Sequence, residues 1–129
     1  MLRYRYNQQV VPPAPFVYID CQRPLESTER LTLPALIDTG ADLSTLPPDA
    51  IQRLQLIPLD EIPVASYRGD TVLATTYLVQ IHVGSWTIEA VEIIAGGEEH
   101  AILGRDVLNQ FHIILDGPHT VLEIRKDDE

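Results

Sequence analysis

Residues 35–46 read Ala-Leu-Ile-Asp-Thr-Gly-Ala-Asp-Leu-Ser-Thr-Leu, with the triplet Asp38-Thr39-Gly40 at their centre. The apolar residues before Asp38 predict a buried strand, and Gly40 predicts a turn directly after it. This pattern places a carboxylate at the end of a strand, beside exposed backbone. The triplet Asp-Thr-Gly occurs once in the chain. Chemistry that needs two such carboxylates must therefore take the second from another copy of the chain.

The bulk composition predicts a single globular domain. The chain has 129 residues, 45% of them hydrophobic and 22% charged, which suffices to bury an ordinary core. Its formal charge of −10 argues against binding to nucleic-acid phosphates. No apolar run approaches the ~18 residues of a membrane-spanning helix, and the N-terminal residues lack the apolar segment of a secretory signal. We expect a cytoplasmic protein that binds neither nucleic acid nor membranes.

The cysteine and histidine content predicts neither a metal site nor a disulfide. Cys21 is the only cysteine, so no intrachain disulfide is possible, and its place in a predicted strand favours a half-buried structural role over a nucleophilic one. Metal-ligand spacing is missing among the histidines, which are expected to be hydrogen-bonded or solvent-facing: His82, His100, His112 and His119. We therefore expect no cofactor and no metal.

Short apolar runs separated by turn residues predict a mainly β structure. Residues 1–15 contain Val-Pro-Pro-Ala-Pro and are predicted to be an extended arm, followed by one domain over residues 16–129. Short helices are predicted after Pro47 and over residues 105–111, and Gly84-Ser85 predicts a tight hairpin turn. Strands are predicted over residues 16–21, 31–37, 43–46, 62–83, 86–95, 101–104, 112–115 and 120–124. The fold class is all-β, a small barrel-like sheet assembly.

Within the predicted strand of residues 62–83, apolar side chains recur with period two. Leu73, Tyr77, Val79, Ile81 and Val83 are therefore expected on one face.

A second motif lies about 65 residues after the first in the sequence. Residues 101–108 read Ala-Ile-Leu-Gly-Arg-Asp-Val-Leu. Together the two motifs resemble those of the retroviral-type aspartic proteases (retropepsins) and their cellular and bacterial relatives, and the resemblance runs from about residue 16 to the C-terminus. It implies a single-lobe retropepsin-like acid protease barrel with one or two short helices and a flap hairpin. It also implies a homodimer that hydrolyses peptides or proteins without a metal or cofactor.

The resemblance assigns catalytic roles to the triplet. Asp38 supplies one of two carboxylates that face each other across the dimer axis, where two like charges share one proton. A water activated between them attacks the peptide carbonyl carbon. Thr39 hydrogen-bonds across the axis beneath the two carboxylates, and Gly40 lets the substrate backbone approach.

Substrate binding is assigned to Ala41 and Asp42, and to Tyr67, Arg68 and Gly69 in the flap. The retroviral flaps are richer in glycine, so this tip is expected to be stiffer and more polar. For Tyr67 an ordinary strand tyrosine is the alternative.

Structural support is assigned to Leu103, Gly104 and Arg105. Arg105 and Asp42 are expected to form a partly buried ion pair that braces the Asp38 loop. The alternative is two unrelated, solvated charges.

The C-terminal residues leave two interpretations open. The retroviral enzymes end soon after the helix, whereas this chain continues through a turn at Asp116-Gly117-Pro118. The resulting hairpin either builds the dimer sheet or completes the core of one subunit.

Two other functional classes compete with the homodimeric endopeptidase. One is a catalytically silent module that keeps the protease fold to bind peptides or to dimerise. The other is a glycosidase that pairs Asp38 with a second carboxylate, although no other acid has so specific a context. A pepsin-like monomer is excluded because it needs two Asp-Thr/Ser-Gly loops, and Asp70-Thr71-Val72 lacks the glycine.

Overall fold

The computed structural model describes residues 1–25, 29–66, 68–97 and 99–127. Strands dominate these ranges, and the two helices are too short to cross a membrane. The elements follow one another as β1 (Leu2–Arg5), β2 (Phe16–Gln22), β3 (Leu31–Ile37), β4 (Thr45–Leu46), α1 (Pro48–Arg53), β5 (Pro58–Ala65), β6 (Thr71–Val83), β7 (Trp86–Ala95), β8 (Ala101–Leu103), α2 (Arg105–Leu108), β9 (His112–Asp116) and β10 (Val121–Arg125).

Six of the described strands close into a barrel. Their order is β2-β3-β8-β4-β7-β6, and β6 returns to β2 through the antiparallel pair Cys21 and Ile81. The predicted all-β barrel is therefore confirmed. The predicted Gly84-Ser85 turn is confirmed as well, because Val83 pairs with Trp86 and Gly84 has a positive φ of 58°.

The barrel interior is filled by alternate side chains of its strands. Val79, Ile81 and Val83 of β6 are fully buried, which confirms their predicted shared face. Leu73 was expected on the same face but is 69% exposed. The reason is that the first half of β6 leaves the barrel and pairs with β5, where it has no interior to face.

Cys21 lies in the core and is fully buried instead of half-buried. Burial, with a smaller contribution from the negative charge of Asp20, raises the pKa of its thiol to about 12. Because a thiolate is the reactive form of cysteine, a thiol that stays protonated at neutral pH supports the structural role.

A second, three-stranded sheet joins the two ends of the chain in the order β1-β10-β9. Residues 2–5 of the expected arm form its first strand, which pairs with β10 from Leu2–Ile124 to Arg5–Val121. The boundary between an arm of residues 1–15 and a domain of residues 16–129 stays a prediction.

The C-terminal hairpin contributes to the core of one subunit. Leu122 and Ile124 of β10 are fully buried, whereas Ile114 and Leu115 of β9 are 55% and 49% exposed. The interpretation that the hairpin completes the core is thus correct for β10, and β9 leaves apolar surface uncovered.

Leu122→Ala should lower the free energy of unfolding by about 2–5 kcal/mol, because it removes a fully buried side chain and leaves a cavity. The matched control, Leu73→Ala, removes the same atoms from an exposed position and should cost less than about 1 kcal/mol. Urea denaturation at one protein concentration measures both. An equal loss of unfolding free energy in the two variants would show that the hairpin does not belong to the core.

Candidate active site

Asp38 lies where β3 ends, next to the end of β8. The two strands are parallel neighbours, with Ile37 opposite Leu103, and the Asp38 N–H donates to the Leu103 carbonyl oxygen at 3.0 Å. The two sequence motifs are therefore side by side in space. This contact closes the ladder and turns the following residues out of the sheet.

The Asp38 carboxylate is oriented by its own loop. The Gly40 N–H donates to Asp38 Oδ1 at 2.9 Å, and the Ala41 N–H donates to the Asp38 carbonyl oxygen at 3.2 Å. A Cβ at position 40 would lie 3.2 Å from that carboxylate oxygen, so glycine keeps the approach open. Asp38 is half-buried, while Thr39 and Gly40 are exposed. The loop thus presents a held carboxylate and free backbone to solvent.

Arg105 braces this loop from the second motif. Its Nη1 donates to the Thr39 carbonyl oxygen at 2.7 Å, its Nη2 contacts Asp42 Oδ1, and its backbone N–H donates to the Ala41 carbonyl oxygen at 2.9 Å. The predicted ion pair is present, so the two charges are not unrelated. It is more exposed than predicted, because the Asp42 side chain is 84% and that of Arg105 45% accessible. Asp42 points to solvent since only one guanidinium nitrogen covers it.

A buried polar network beneath the loop was not predicted from the sequence. Ser44 donates its N–H and its hydroxyl to the two carboxylate oxygens of Asp106, at 3.0 and 2.7 Å. The Gly104 N–H donates to Ser44 Oγ at 3.0 Å. Ser44 is 1% exposed, so its bond with the Gly104 N–H is shielded from water, whereas Asp106 is half-buried. The available signal was the position of Asp106 directly after Arg105, at the start of a helix.

Gly104 is packed against the loop at its closest point. A Cβ there would lie 2.8 Å from the Ala41 carbonyl oxygen and 2.9 Å from the Leu43 carbonyl carbon. Both are backbone atoms that the network below holds in place. Leu103, Gly104 and Arg105, which were assigned to structural support, therefore all contact the Asp38 loop.

A groove of about 1000 Å³ extends from Gly40 toward the β5–β6 hairpin. Ala41 and Asp42, both predicted to bind substrate, line it. The rest of its wall is mostly apolar: Leu43, Thr45, Ile62, Pro63, Val64, Ala65, Ser66, Ile94, Ala95, Gly96 and Gly97. Such a groove beside a carboxylate can hold an extended chain with apolar side chains.

The β5–β6 hairpin stands at the place predicted for a flap. Its tip is closed by the Ser66 N–H, which donates to the Asp70 carbonyl oxygen at 2.8 Å, and Gly69 there has a positive φ of 83°. Arg68 and Gly69 are exposed at this tip and do not line the groove. Tyr67, the third flap residue of the prediction, lies outside the described residues. Contact of the tip with substrate stays a prediction.

Within the described residues, no group of three or more histidine, cysteine, aspartate or glutamate side chains is placed to hold a metal ion. The described site offers one oriented carboxylate beside a groove.

A family model described as "gag-polyprotein putative aspartyl protease" matches residues 28–110, which is more than half of the chain. The match includes both sequence motifs and the hairpin between them. No curated protein matches the chain significantly.

Solved structures of retropepsin-like proteases share the fold. The retropepsin-like aspartic protease from Rickettsia conorii aligns with a TM-score of 0.62 at 16% identity, over 94% of this chain and 86% of that one. The EIAV protease, solved with the inhibitor HBY-793, aligns with a TM-score of 0.56 at 24% identity, over 82% and 92%. The retroviral protease-like domain of Ddi1 from Leishmania major aligns with a TM-score of 0.52 at 17% identity, over 88% and 90%. The predicted single-lobe retropepsin-like barrel is thereby confirmed.

Gly104→Ala should destabilise the protein by about 1–3 kcal/mol, because the added methyl group overlaps backbone atoms of residues 41 and 43. Gly117→Ala is the matched control, since a Cβ at that position meets nothing within 4 Å. Chemical denaturation of both variants measures the difference. A Gly104→Ala protein as stable as the control would mean that the loop is not held as described.

Ser44→Ala should cost about 1–3 kcal/mol, because it leaves the Gly104 N–H buried without an acceptor. Ser85→Ala, in an exposed hairpin turn, removes the same hydroxyl and should change stability by no more than about 0.5 kcal/mol. The comparison again uses urea denaturation. Equal, small effects would argue that water replaces the serine hydroxyl beneath the loop.

Proposed function

The chain belongs to the gag-polyprotein aspartyl protease family, and on this premise we propose that it is an aspartic endopeptidase that acts as a homodimer. The observation that carries the proposal is the Asp38 loop. It presents a carboxylate whose Oδ1 accepts the Gly40 N–H, with exposed backbone beside it and a groove leading away. Only one Asp-Thr-Gly triplet occurs in the chain, so the second carboxylate comes from a second copy.

In the proposed mechanism, two Asp38 carboxylates hold one proton between them, because ionising both at short range is unfavourable. The ionised carboxylate takes a proton from a bound water, and the water oxygen attacks the peptide carbonyl carbon. The protonated carboxyl group hydrogen-bonds the carbonyl oxygen as charge develops there. The amine then leaves with a proton from the pair, so protons balance over the reaction. No covalent intermediate and no metal is required.

The loop contacts described above support this mechanism by restricting motion. The carboxylate is held by Gly40, and the backbone that carries it is held by Arg105 and by the Ser44–Asp106 network. A catalytic group that is already oriented loses little freedom when the reaction begins. These contacts therefore support a loop whose carboxylate is oriented before substrate binds.

The groove indicates the substrate class. Its apolar walls, including Leu43, Ile62 and Ile94, favour peptides with apolar side chains next to the cleaved bond. Residues 62–66 of the β5–β6 hairpin form part of the groove wall, and we expect this hairpin to cover an extended peptide. We also propose that the protein is located in the cytoplasm.

Asp38→Asn should abolish cleavage of a peptide library between about pH 4 and 7, with a loss of at least about 100-fold in kcat/KM, because an amide can neither accept nor share the proton. Asp49→Asn, an exposed acid in the first turn of α1, is the control and should retain full activity. Sedimentation velocity should show that both variants dimerise like the parent.

Mixing parent and Asp38→Asn chains gives a second readout of a shared site. At chain concentrations where dimers predominate and exchange freely, adding an equal amount of the variant should lower parent activity by about half, since mixed dimers hold only one aspartate. Unchanged activity would contradict a site built from two chains. A parent that dimerises but cleaves nothing would favour the catalytically silent module instead.

A further inference from the structure

Resting on the proposed function, we propose that His100 is a specificity-determining residue. Its imidazole donates a hydrogen bond to the side-chain oxygen of a glutamine or glutamate that lies one or two residues from the cleaved bond. The groove described above favours apolar side chains, so His100 adds a polar requirement at one further position of the peptide. The residues that carry this assignment lie on a wall of the site outside that groove.

His100 differs from the other three histidines in its contacts. Each of the others has a ring nitrogen hydrogen-bonded to a neighbouring side chain: His82 to Gln22 and Thr87, His112 to Asp127, and His119 to Asp116. Among the residues that the structure describes, neither ring nitrogen of His100 has such a partner. Its ring packs edge-to-face against Phe16, with the centroids 5.1 Å apart, and the residue is half-buried. A half-buried imidazole in this state has a hydrogen bond to offer to a ligand.

The contact with Phe16 places His100 on the face of the barrel that carries Asp38. Phe16 pairs with Leu36 of β3, and Leu36 pairs with Ile102 of β8, so these three side chains point the same way. All three are half-buried. Asp38 follows Leu36 by two residues and its N–H continues the ladder to β8, so its side chain leaves on the same face. His100 and Asp38 therefore border one apolar surface.

This apolar surface is continuous with the groove. Ile102 also pairs with Thr45 of β4, and Thr45 lines the groove. One row of side chains therefore crosses four neighbouring strands, from Phe16 on β2 through Leu36 and Ile102 to Thr45. A peptide that is cleaved at Asp38 has residues on both sides of this carboxylate. Those that lie outside the groove are placed against Leu36 and Ile102.

Distance decides which role His100 can have. Ile37 pairs with Leu103, so Asp38 stands level with Gly104, four residues after His100. At a rise of about 3.3 Å per residue, the two positions are about 13 Å apart along the strand. Proton transfer needs hydrogen-bond contact at about 3 Å, so His100 does not act on the reacting atoms. A long side chain two residues from the attacked carbonyl, itself about 7 Å along an extended peptide, can reach the imidazole.

The surroundings of the imidazole favour a long side chain that ends in an oxygen. An imidazole N–H donates a hydrogen bond in both the neutral and the protonated form, and the amide or carboxylate oxygen of the substrate accepts it. The methylene groups of glutamine or glutamate pack on Leu36 and Ile102 on the way. Lysine and arginine offer no acceptor, and methionine has the same length without an oxygen.

Matched peptides test the assignment. One cleaved peptide is made with glutamine, glutamate or methionine at each of the two positions on either side of the cleaved bond. At one of these positions the parent should cleave the glutamine or glutamate peptide with a kcat/KM about two- to tenfold above that of the methionine peptide, as one hydrogen bond allows. His100→Leu should abolish this ratio, because the donor is gone.

Two variants control for damage to the fold. His100→Gln keeps an N–H donor and should retain the preference for the oxygen-bearing side chain. His119→Leu removes a histidine whose side chain is 78% exposed in the C-terminal hairpin, and it should leave the ratio unchanged. A merely structural role of His100 would lower the rates for all three peptides equally and leave their ratios intact. That outcome, or a parent without any preference at the four positions, would overturn the proposal.

A binding measurement separates this assignment from the catalytic proposal. In the Asp38→Asn protein with ¹⁵N-labelled histidines, the glutamine peptide should shift the ring resonances of His100, which His100→Gln identifies by their loss. The methionine peptide should shift them much less, and the other three histidines should not respond. Such a response, with no cleavage by the parent, would contradict the endopeptidase and support the role of His100. Cleavage by the parent without a His100 response would contradict that role alone, and neither binding nor cleavage would contradict both.

Discussion

One backbone hydrogen bond, from the Asp38 N–H to the Leu103 carbonyl oxygen, brings the two halves of the site together. It follows three parallel residue pairs between β3 and β8, which join segments more than 60 residues apart in the chain. Because the two strands end at the same level, their following loops emerge side by side. The first loop can then carry the carboxylate while the second supplies the residues that hold it. A shift of one residue in this ladder would turn every side chain to the other face and separate the two motifs.

The rigidity of the loop comes more from its buried network than from its visible ion pair. The side chains of Asp42 and Arg105 are 84% and 45% accessible, and an exposed pair of this kind contributes about 0–1 kcal/mol. The bond from the Gly104 N–H to Ser44 Oγ is buried, where an unmet donor costs about 1–3 kcal/mol, and Asp106 holds Ser44 in place from a half-buried position. The guanidinium also donates to the Thr39 carbonyl oxygen, so its role is to fix backbone direction. Orientation and stability are thus supplied by different residues.

Local patterns predicted what depends on neighbours in the sequence. Residues close together in the sequence were enough to predict the strand before Asp38, the Gly84-Ser85 turn and the C-terminal hairpin. The Ser44–Asp106 bonds were missed because they join residues 62 positions apart, and neither residue type requires such a partner. The exposure of Leu73 was missed for a related reason. A period of two tells which side chains share a face, but only the closed barrel decides what covers that face.

Two parts of the exposed surface of the single chain are of a kind that is usually covered in a protein. Thr39 and Gly40 present backbone to solvent next to a half-buried carboxylate, and β9 presents isoleucine and leucine at an unpaired edge. Both features lie on segments that lead away from the β3–β8 ladder. In the proposed dimer, association of two chains completes the catalytic pair. Activity would then rise with the square of the chain concentration until dimers predominate, and the apparent stability of the fold would rise with it. The concentration of the chain would therefore set the rate of proteolysis.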